Sequence, residues 1–306
     1  MINIVFFGTP AIALKSLEYL YNSDKINVLA VVTQPDKPAG RGHKISMSVI
    51  KQFALEHNLP VFQPKSIRKE LEIQEELKKL NPDFFVTFAF GQILSQEVLD
   101  IPKYETINLH ASLLPRYRGA NPIQRAIING DKETGVCTMI TELGLDCGDV
   151  CLREKFEIPN DMNCVDLFEK ISEVSPKLLE KTLIGLVEKT ITPEKQCENG
   201  VCMANKLTKE ETLIDWSKPA QEIHNLVRGV YKFPSAHFVY NDKIIKVLET
   251  RVVKGSGKCG EFVKVSKDGV EVACGEDCLL LVKVKPEGKG EMMASAWANG
   301  AHITKS

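Results

Sequence analysis

Asn108 and His110 stand two residues apart at the end of the apolar run Thr106 to His110, and the stiff, basic stretch SLLPRYRGANP follows two residues later. Side chains two apart on a strand point to one side, so both can face a single pocket at the strand's end. A neutral amide beside a titratable imidazole suits acyl-group transfer, with Asn108 donating a hydrogen bond to a developing oxyanion and His110 serving as acid or charge stabiliser. An isolated histidine at a strand end is more often structural, but the next residues favour function. Pro115 bars ordinary strand or helix through SLLPRYRG, and Asn121-Pro122 reads as a helix cap followed by a first helical residue. The result is a short loop fit to grip a ligand. Further on, ELGLDCGDV puts Asp146 in a Gly-flanked turn, where a carboxylate would orient His110 and stabilise its charged form.

The elements that must position these residues alternate in type. Strands are expected at Ile2 to Phe7, Val28 to Thr33, Val61-Phe62, Phe84 to Phe88 and Thr106 to His110, with helices after Pro10, from Ser46 to His57 and from Ser66 to Leu80. This βαβ rhythm predicts an α/β fold: a Rossmann-like, mostly parallel sheet with helices on both faces. Such sheets bind ligands at the carboxyl ends of their strands. VFFGTPAIA opens like a nucleotide-binding unit, yet only Gly8 of a GxGxxG pattern is present, which argues against a dinucleotide cofactor. Thr9 and Pro10 read instead as N-cap and first helical residue.

A long helix is expected from Asn163 to Lys189, after which TITPEKQCENGVCMANKL mixes Pro, Gly, Asn and charge without periodicity. The chain therefore divides into a catalytic domain (1–189), a linker (190–206) and a C-terminal domain (207–306). In the last, a helix near Ala220 to Val230 precedes short runs at Ile244 to Val253, Glu261 to Val265, Gly269 to Ala273 and Leu279 to Val284, a pattern that predicts a small, OB-like β-barrel.

Composition bounds the rest. With 306 residues, 43% of them hydrophobic, the chain can bury two medium-sized cores. Its apolar stretches are strand-sized, and its start lacks a basic segment before the first apolar run, so neither a membrane span nor a signal peptide is expected and a cytoplasmic location is. Residues 206–306 carry 16 Lys and Arg against 13 Asp and Glu, and the residues before them 23 against 27. That asymmetry is too small to argue for a polyanionic partner by itself. Nine cysteines, all from Cys137 onward, include no CxxC pair, so reduced structural thiols and no metal site are expected.

FGTP at 7–10, QPDKPAGRG at 34–42, NLHASLLPRYRGA at 108–120 and GLDCGD at 144–149 together resemble the methionyl-tRNA formyltransferase family. The likeness continues through ANKLTKEETLIDW at 204–216 and VKPEGKGEMMASAWANG at 284–300. It implies that Asn108, His110 and Asp146 are catalytic, that Ser112, Leu113, Leu114 and Pro115 hold the folate, and that the donor is 10-formyltetrahydrofolate. The acceptor it implies is initiator methionyl-tRNA, on a chain acting as a monomer without metal. Cys147 stands where the family often has threonine, and GHKISMSVIK lacks the prolines usual after the basic loop. A thiol mechanism at Cys147 is disfavoured, because direct attack by the substrate amine makes a covalent intermediate unnecessary.

The loop TQPDKPAGRGHK, residues 33–44, sets Lys37, Arg41 and Lys44 among glycines and prolines. The resemblance implies that it enters the tRNA acceptor end, where the planar guanidinium of Arg41 can meet phosphates and base edges together. A sugar-nucleotide N-formyltransferase or a formyltetrahydrofolate deformylase would share Asn, His and Asp, but the second domain and basic loop argue against the deformylase. A non-catalytic RNA-binding protein would account for the barrel and Arg41, but not for a coincident Asn108, His110 and Asp146.

Overall fold

The computed structural model describes residues 1–39 and 44–303. In chain order its elements begin with β1 (Ile2–Gly8), α1 (Leu14–Tyr21), β2 (Ile26–Val32), β3 (Lys37–Ala39), β4 (Lys44–Ser46), α2 (Val49–Glu56), β5 (Val61–Phe62), α3 (Leu71–Lys79), β6 (Phe84–Phe88) and α4 (Gln96–Leu99). They continue with β7 (Glu105–His110), β8 (Arg118–Gly119), α5 (Pro122–Ile128), β9 (Glu133–Ile140), β10 (Val150–Glu157), α6 (Cys164–Val187) and β11 (Met203–Ala204). After them come α7 (Ala220–Gly229), β12 (His237–Tyr240), β13 (Lys243–Val253), β14 (Phe262–Ser266), β15 (Gly269–Ala273), β16 (Cys278–Pro286), β17 (Met292–Met293) and α8 (Ala294–Gly300). Two compact units result: Met1–Gly119, Thr134–Phe156 and Phe168–Met203 form the first, and Ala120–Glu133, Glu157–Leu167 and Ala204–Ser306 the second.

The first unit is built on a seven-stranded sheet in the order β10-β9-β7-β6-β1-β2-β5. The pairs β1/β2, β1/β6, β2/β5 and β6/β7 are parallel, whereas β7 and β9 are antiparallel. The expected Rossmann-like sheet is thus present. β9 and β10, which the strand pattern does not single out, extend it beyond β7. Val5, Phe7, Ala30, Val32 and Phe85 pack with Ile67, Leu77, Phe90, Leu94 and Val98 on one face. Ile4, Phe6, Val31, Phe84 and Val86, pointing the other way, are equally buried, so both faces are covered, as near-continuous apolar strands require. Burying such side chains contributes about 1.5–3 kcal/mol each, which makes this core the main stabiliser of the unit.

Local chemistry fixes the helix starts. Ser48, not Ser46, caps α2 by accepting from Lys51 N at 3.1 Å. Glu70 closes the turn before α3, its carboxylate accepting from Ser66 N at 2.9 Å, so that helix begins at Leu71 rather than Ser66. Thr9 is not an N-cap. Its hydroxyl donates to Phe90 O at 3.3 Å and accepts from Gln34 N at 3.3 Å, joining three strand ends, while Pro10 leads into a single 3-10 turn before α1.

In the second unit an antiparallel sheet runs β12-β13-β16-β15-β14, with β17 on β16. Ile223 and Val227 of α7 pack with Phe238, Val247, Leu281 and Trp297 of α8 in its core. Trp297 meets Phe238, Tyr240 and Phe262 edge-on at 5.5–6.0 Å, the arrangement aromatic quadrupoles favour. The helix and the antiparallel C-terminal sheet expected from the sequence are therefore present, and β12 and α8 complete the unit. Asn121 and Pro122 stand at the cap and first positions of α5, but the Asn121 side chain makes no capping bond: its Oδ1 accepts from Leu207 N at 3.1 Å.

Candidate functional site

Asn108 and His110 lie near the carboxyl end of β7, which sits between β6 and β9. Parallel register pairs Asn108 with Thr87, and the Thr87 hydroxyl donates to Asn108 Oδ1 at 2.8 Å. That bond fixes the amide's orientation. With the oxygen engaged, Asn108 Nδ2 is left as a donor without an acceptor among the described residues, which is the polarity an oxyanion needs.

His110 is 6% exposed, and its two nitrogens face different acceptors. Nε2 lies 2.8 Å from Tyr117 O, and because a carbonyl can only accept, Nε2 carries the hydrogen. Nδ1 lies 3.5 Å from Asp146 Oδ2. Protonating Nδ1 turns that approach into an ion pair, and the imidazolium then has an acceptor on each side. Tyr117 presents its carbonyl from a left-handed backbone (φ 61°), an unfavourable state for a bulky residue that its surroundings must impose. The residue is 3% exposed, and its N donates to Cys202 Sγ at 3.2 Å.

Asp146 also has positive φ (47°), a conformation that aspartate tolerates better than most residues. Its Oδ2 accepts from Gly119 N at 2.8 Å. Gln196 holds the turn from behind, donating from Nε2 to Asp146 O at 2.9 Å and Gly148 O at 2.7 Å. Arg118 in turn fixes Gln196, with Nε and Nη2 both on Oε1 at 3.0 and 2.8 Å. Gly148 has no room for a side chain, since a Cβ there would fall 2.0 Å from Ile140 O.

The structure thus brings Asn108, His110 and Asp146 to one place. Thr87, Tyr117, Arg118 and Gln196 are not singled out by the sequence. Gln196 lies in the stretch that reads as linker, and its only sequence signal is proximity to a turn-forming segment. The SLLP residues divide: Ser112 is fully buried, its hydroxyl donating to Arg116 O at 2.6 Å, and Leu114 packs with Cys137, Met139 and Val150. Leu113 and Pro115 are half-buried. Lys37 is exposed on β3, Lys44 falls on β4, and Arg41 lies outside the described residues.

All nine cysteines are free, and burial pushes the thiols of Cys137, Cys164 and Cys274 up to about 11 and that of Cys151 to about 12. These stay protonated and unreactive near neutrality. Cys147 Sγ lies 4.0 Å from Glu142 Oε2. Among the described residues no group of three or more His, Cys, Asp or Glu could hold a metal, and no helix is long and apolar enough to cross a membrane.

Residues 2–183 match the formyl transferase family, and residues 206–302 match the formyl transferase C-terminal domain. A methionyl-tRNA formyltransferase of Clostridium perfringens (strain 13 / Type A) is 47% identical over 302 residues, covering 98% of this chain and 97% of that protein. That of Clostridium novyi (strain NT) is 44% identical over 98% of this chain and 97% of its own. Among solved structures, methionyl-tRNA formyltransferase from Clostridium thermocellum shares the fold with a TM-score of 0.58 at 17% identity, over 83% of this chain and 94% of that one. An N-formyltransferase from Helicobacter canadensis, in complex with folinic acid and dTDP-3-aminofucose, shares it at TM-score 0.68 and 20% identity, over 92% and 98% of the two chains.

Proposed function

This chain belongs to the methionyl-tRNA formyltransferase family, and from that premise we propose that it transfers the formyl group of 10-formyltetrahydrofolate to the free α-amine of methionyl initiator tRNA. The amine nitrogen attacks the formyl carbon, the carbon's bond to folate N10 breaks, and the proton lost by the amine ends on N10. Formylmethionyl-tRNA and tetrahydrofolate leave.

The observation that carries this reading is the polarity of Asn108: its oxygen is held by Thr87, so its amide hydrogens are directed to the oxyanion of the tetrahedral intermediate. His110, with one nitrogen on Tyr117 O and the other toward Asp146, acts as a fixed cation beside that oxyanion rather than as a proton donor. Asp146 Oδ1 has no partner among the described residues and takes up the amine's proton by way of water. Ser112 and Leu114 then serve the folate by shaping the loop, while Leu113 and Pro115 are the members of that segment able to meet it. Arg41, with Lys37 and Lys44, reads the tRNA acceptor end.

In this reading residues 1–189 form the catalytic domain, 190–206 the linker and 207–306 an OB-like tRNA-binding domain. The protein works as a cytoplasmic monomer, and no step needs a metal. A formyl-transfer assay offering methionyl-tRNA, an aminosugar nucleotide and water as acceptors tests the whole: methionyl-tRNA is the acceptor expected to be used, and preference for the sugar would refute the reading.

A further inference from the structure

β3 and β4 stand apart from the seven-stranded sheet as a two-stranded arm. They pair antiparallel, Lys37 with Ser46 and Ala39 with Lys44, and among the described residues they pair with no other strand. A ribbon of two strands is marginal in water by itself, so the direction of this one must be set where it joins the rest of the chain.

That base is fastened on both sides. On the incoming side Thr33 N donates to Phe62 O at 3.0 Å, and Gln34 Nε2 donates to Phe90 O at 3.1 Å. On the returning side the hydroxyls of Ser48 and Thr33 share a hydrogen bond at 2.8 Å, and Gln52 Nε2 donates to Met47 O at 3.3 Å. The last tie before the arm is Asp36. Its Oδ2 accepts from Lys51 Nζ of α2 at 2.6 Å and its Oδ1 from Gln63 Nε2 at 2.8 Å, and the same Gln63 nitrogen donates its other hydrogen to Gln34 O at 3.0 Å. One carboxylate thus joins the root of the arm to α2 and to the chain leaving β5. These donors hold the carboxyl below its usual range, the Lys51 bond contributing most, so Asp36 is ionised at neutral pH. Pro35 and Pro38 each fix their own φ, so the backbone around Asp36 moves as a stiff piece.

Charge alone gives no reason for an acid here. Asp36 is the sole acid in TQPDKPAGRGHK, and beside a phosphate-rich ligand its charge repels. Its bonds supply the reason. Resting on the tRNA reading above, we propose that Asp36 is a positioning residue for the acceptor: with Lys51 and Gln63 it clamps the β3–β4 arm in the direction from which tRNA is met. An arm already in place removes an ordering cost from binding.

The test turns on a sign. Removing an acid that acts only through its charge would lower the KM for a polyanion, whereas removing a clamp raises it. Steady-state formyl transfer is measured for wild type, Asp36→Ala and Asp36→Asn, with KM determined for methionyl initiator tRNA and for donor, and thermal melting verifies folding. Asp36→Ala should raise the tRNA KM about tenfold, the size of one lost hydrogen bond to a charged group, and keep kcat and the donor KM. Asp36→Asn keeps an acceptor for Gln63 and should fall between the two. An unchanged or lowered tRNA KM in Asp36→Ala overturns the proposal, as does a rise confined to the donor KM. Absence of any formyl transfer by wild type would refute the main reading instead. In that event anisotropy titration of fluorescently labelled methionyl initiator tRNA still tests the clamp: weaker binding by Asp36→Ala supports it, and equal binding, tighter binding or none by wild type overturns it.

Discussion

His110 Nε2 donates to the Tyr117 carbonyl at 2.8 Å, and this one bond decides how the imidazole faces Asp146. It fixes the tautomer, leaving Nδ1 as the nitrogen whose protonation creates the ion pair. The isosteric Asp146→Asn keeps a side-chain acceptor for Gly119 N and tolerates the positive φ, but removes the charge. Its kcat is expected to fall about 10²-fold or more with little change in melting temperature, as is typical when transition-state electrostatics are lost. Single-turnover kinetics measure this, and wild-type turnover would end the catalytic assignment of Asp146.

Thr87→Val removes the hydroxyl that orients the Asn108 amide while preserving shape. A freed amide can flip, so kcat should drop about tenfold, in the range of one lost buried hydrogen bond. Thr87→Ser should restore most of it. Equal rates for the Val and Ser variants would show that Asn108 needs no such support.

Gln196→Glu swaps the amide that donates to Asp146 O and Gly148 O for a carboxylate that cannot. Loss of two donors, plus repulsion from the two carbonyls, should loosen the 144–149 turn. A fall in kcat/KM for the donor is expected, accompanied by faster amide exchange at residues 144–149 in deuterium-exchange mass spectrometry. Unaltered exchange there would remove Gln196 from the site's support.

The Arg125 guanidinium grips Glu211 at 2.6 and 3.1 Å and holds its carboxyl below the usual carboxylate range. A carboxyl whose folded-state pKa is depressed stabilises fully above its unfolded pKa and loses that contribution as pH falls through the folded value. Melting temperature should therefore decline below about pH 4.3 more steeply for wild type than for Glu211→Gln. Parallel acid profiles would show that the pair is energetically silent.

Arg41→Ala is expected to lower formylation of initiator methionyl-tRNA and its discrimination from elongator tRNA, leaving donor KM unchanged. A base-edge contact is worth about 1–3 kcal/mol of discrimination, whereas a phosphate contact weakens all tRNAs alike. Rates measured with both tRNAs separate the two, and wild-type rates with both would make the loop a bystander.

Legibility in the sequence follows distance along the chain. Asn108 and His110 share one strand, so a two-residue period places them together, and Pro122 announces its helix because proline suits the first helical position. Thr87 cannot be read that way, because its hold on Asn108 exists only through the parallel register of β6 and β7. Gln196 is 50 residues from Asp146, in a stretch without periodicity. Tyr117 acts through a carbonyl, a group every residue has. Thr9 looks like a cap because the Thr-Pro pair permits one, but tertiary hydrogen bonds to Phe90 and Gln34 claim its hydroxyl first.

The chain passes between its two compact units five times, at residues 119, 133, 156, 167 and 203. A chain truncated after residue 189 would discard Gln196 and Cys202, the props behind Asp146 and Tyr117. It would also uncover α5, whose Ile123, Ala126 and Ile127 are at most 2% exposed, and which lies so close to α7 that a Cβ on Gly229 would come within 2.6 Å of Ile128 Cγ1. Such a half-protein would carry a sticky helix into solution and invite aggregation. Bioengineers wishing to graft formyl transfer onto a new acceptor-reading module are therefore better served by reshaping the surface of the intact chain than by cutting and splicing it.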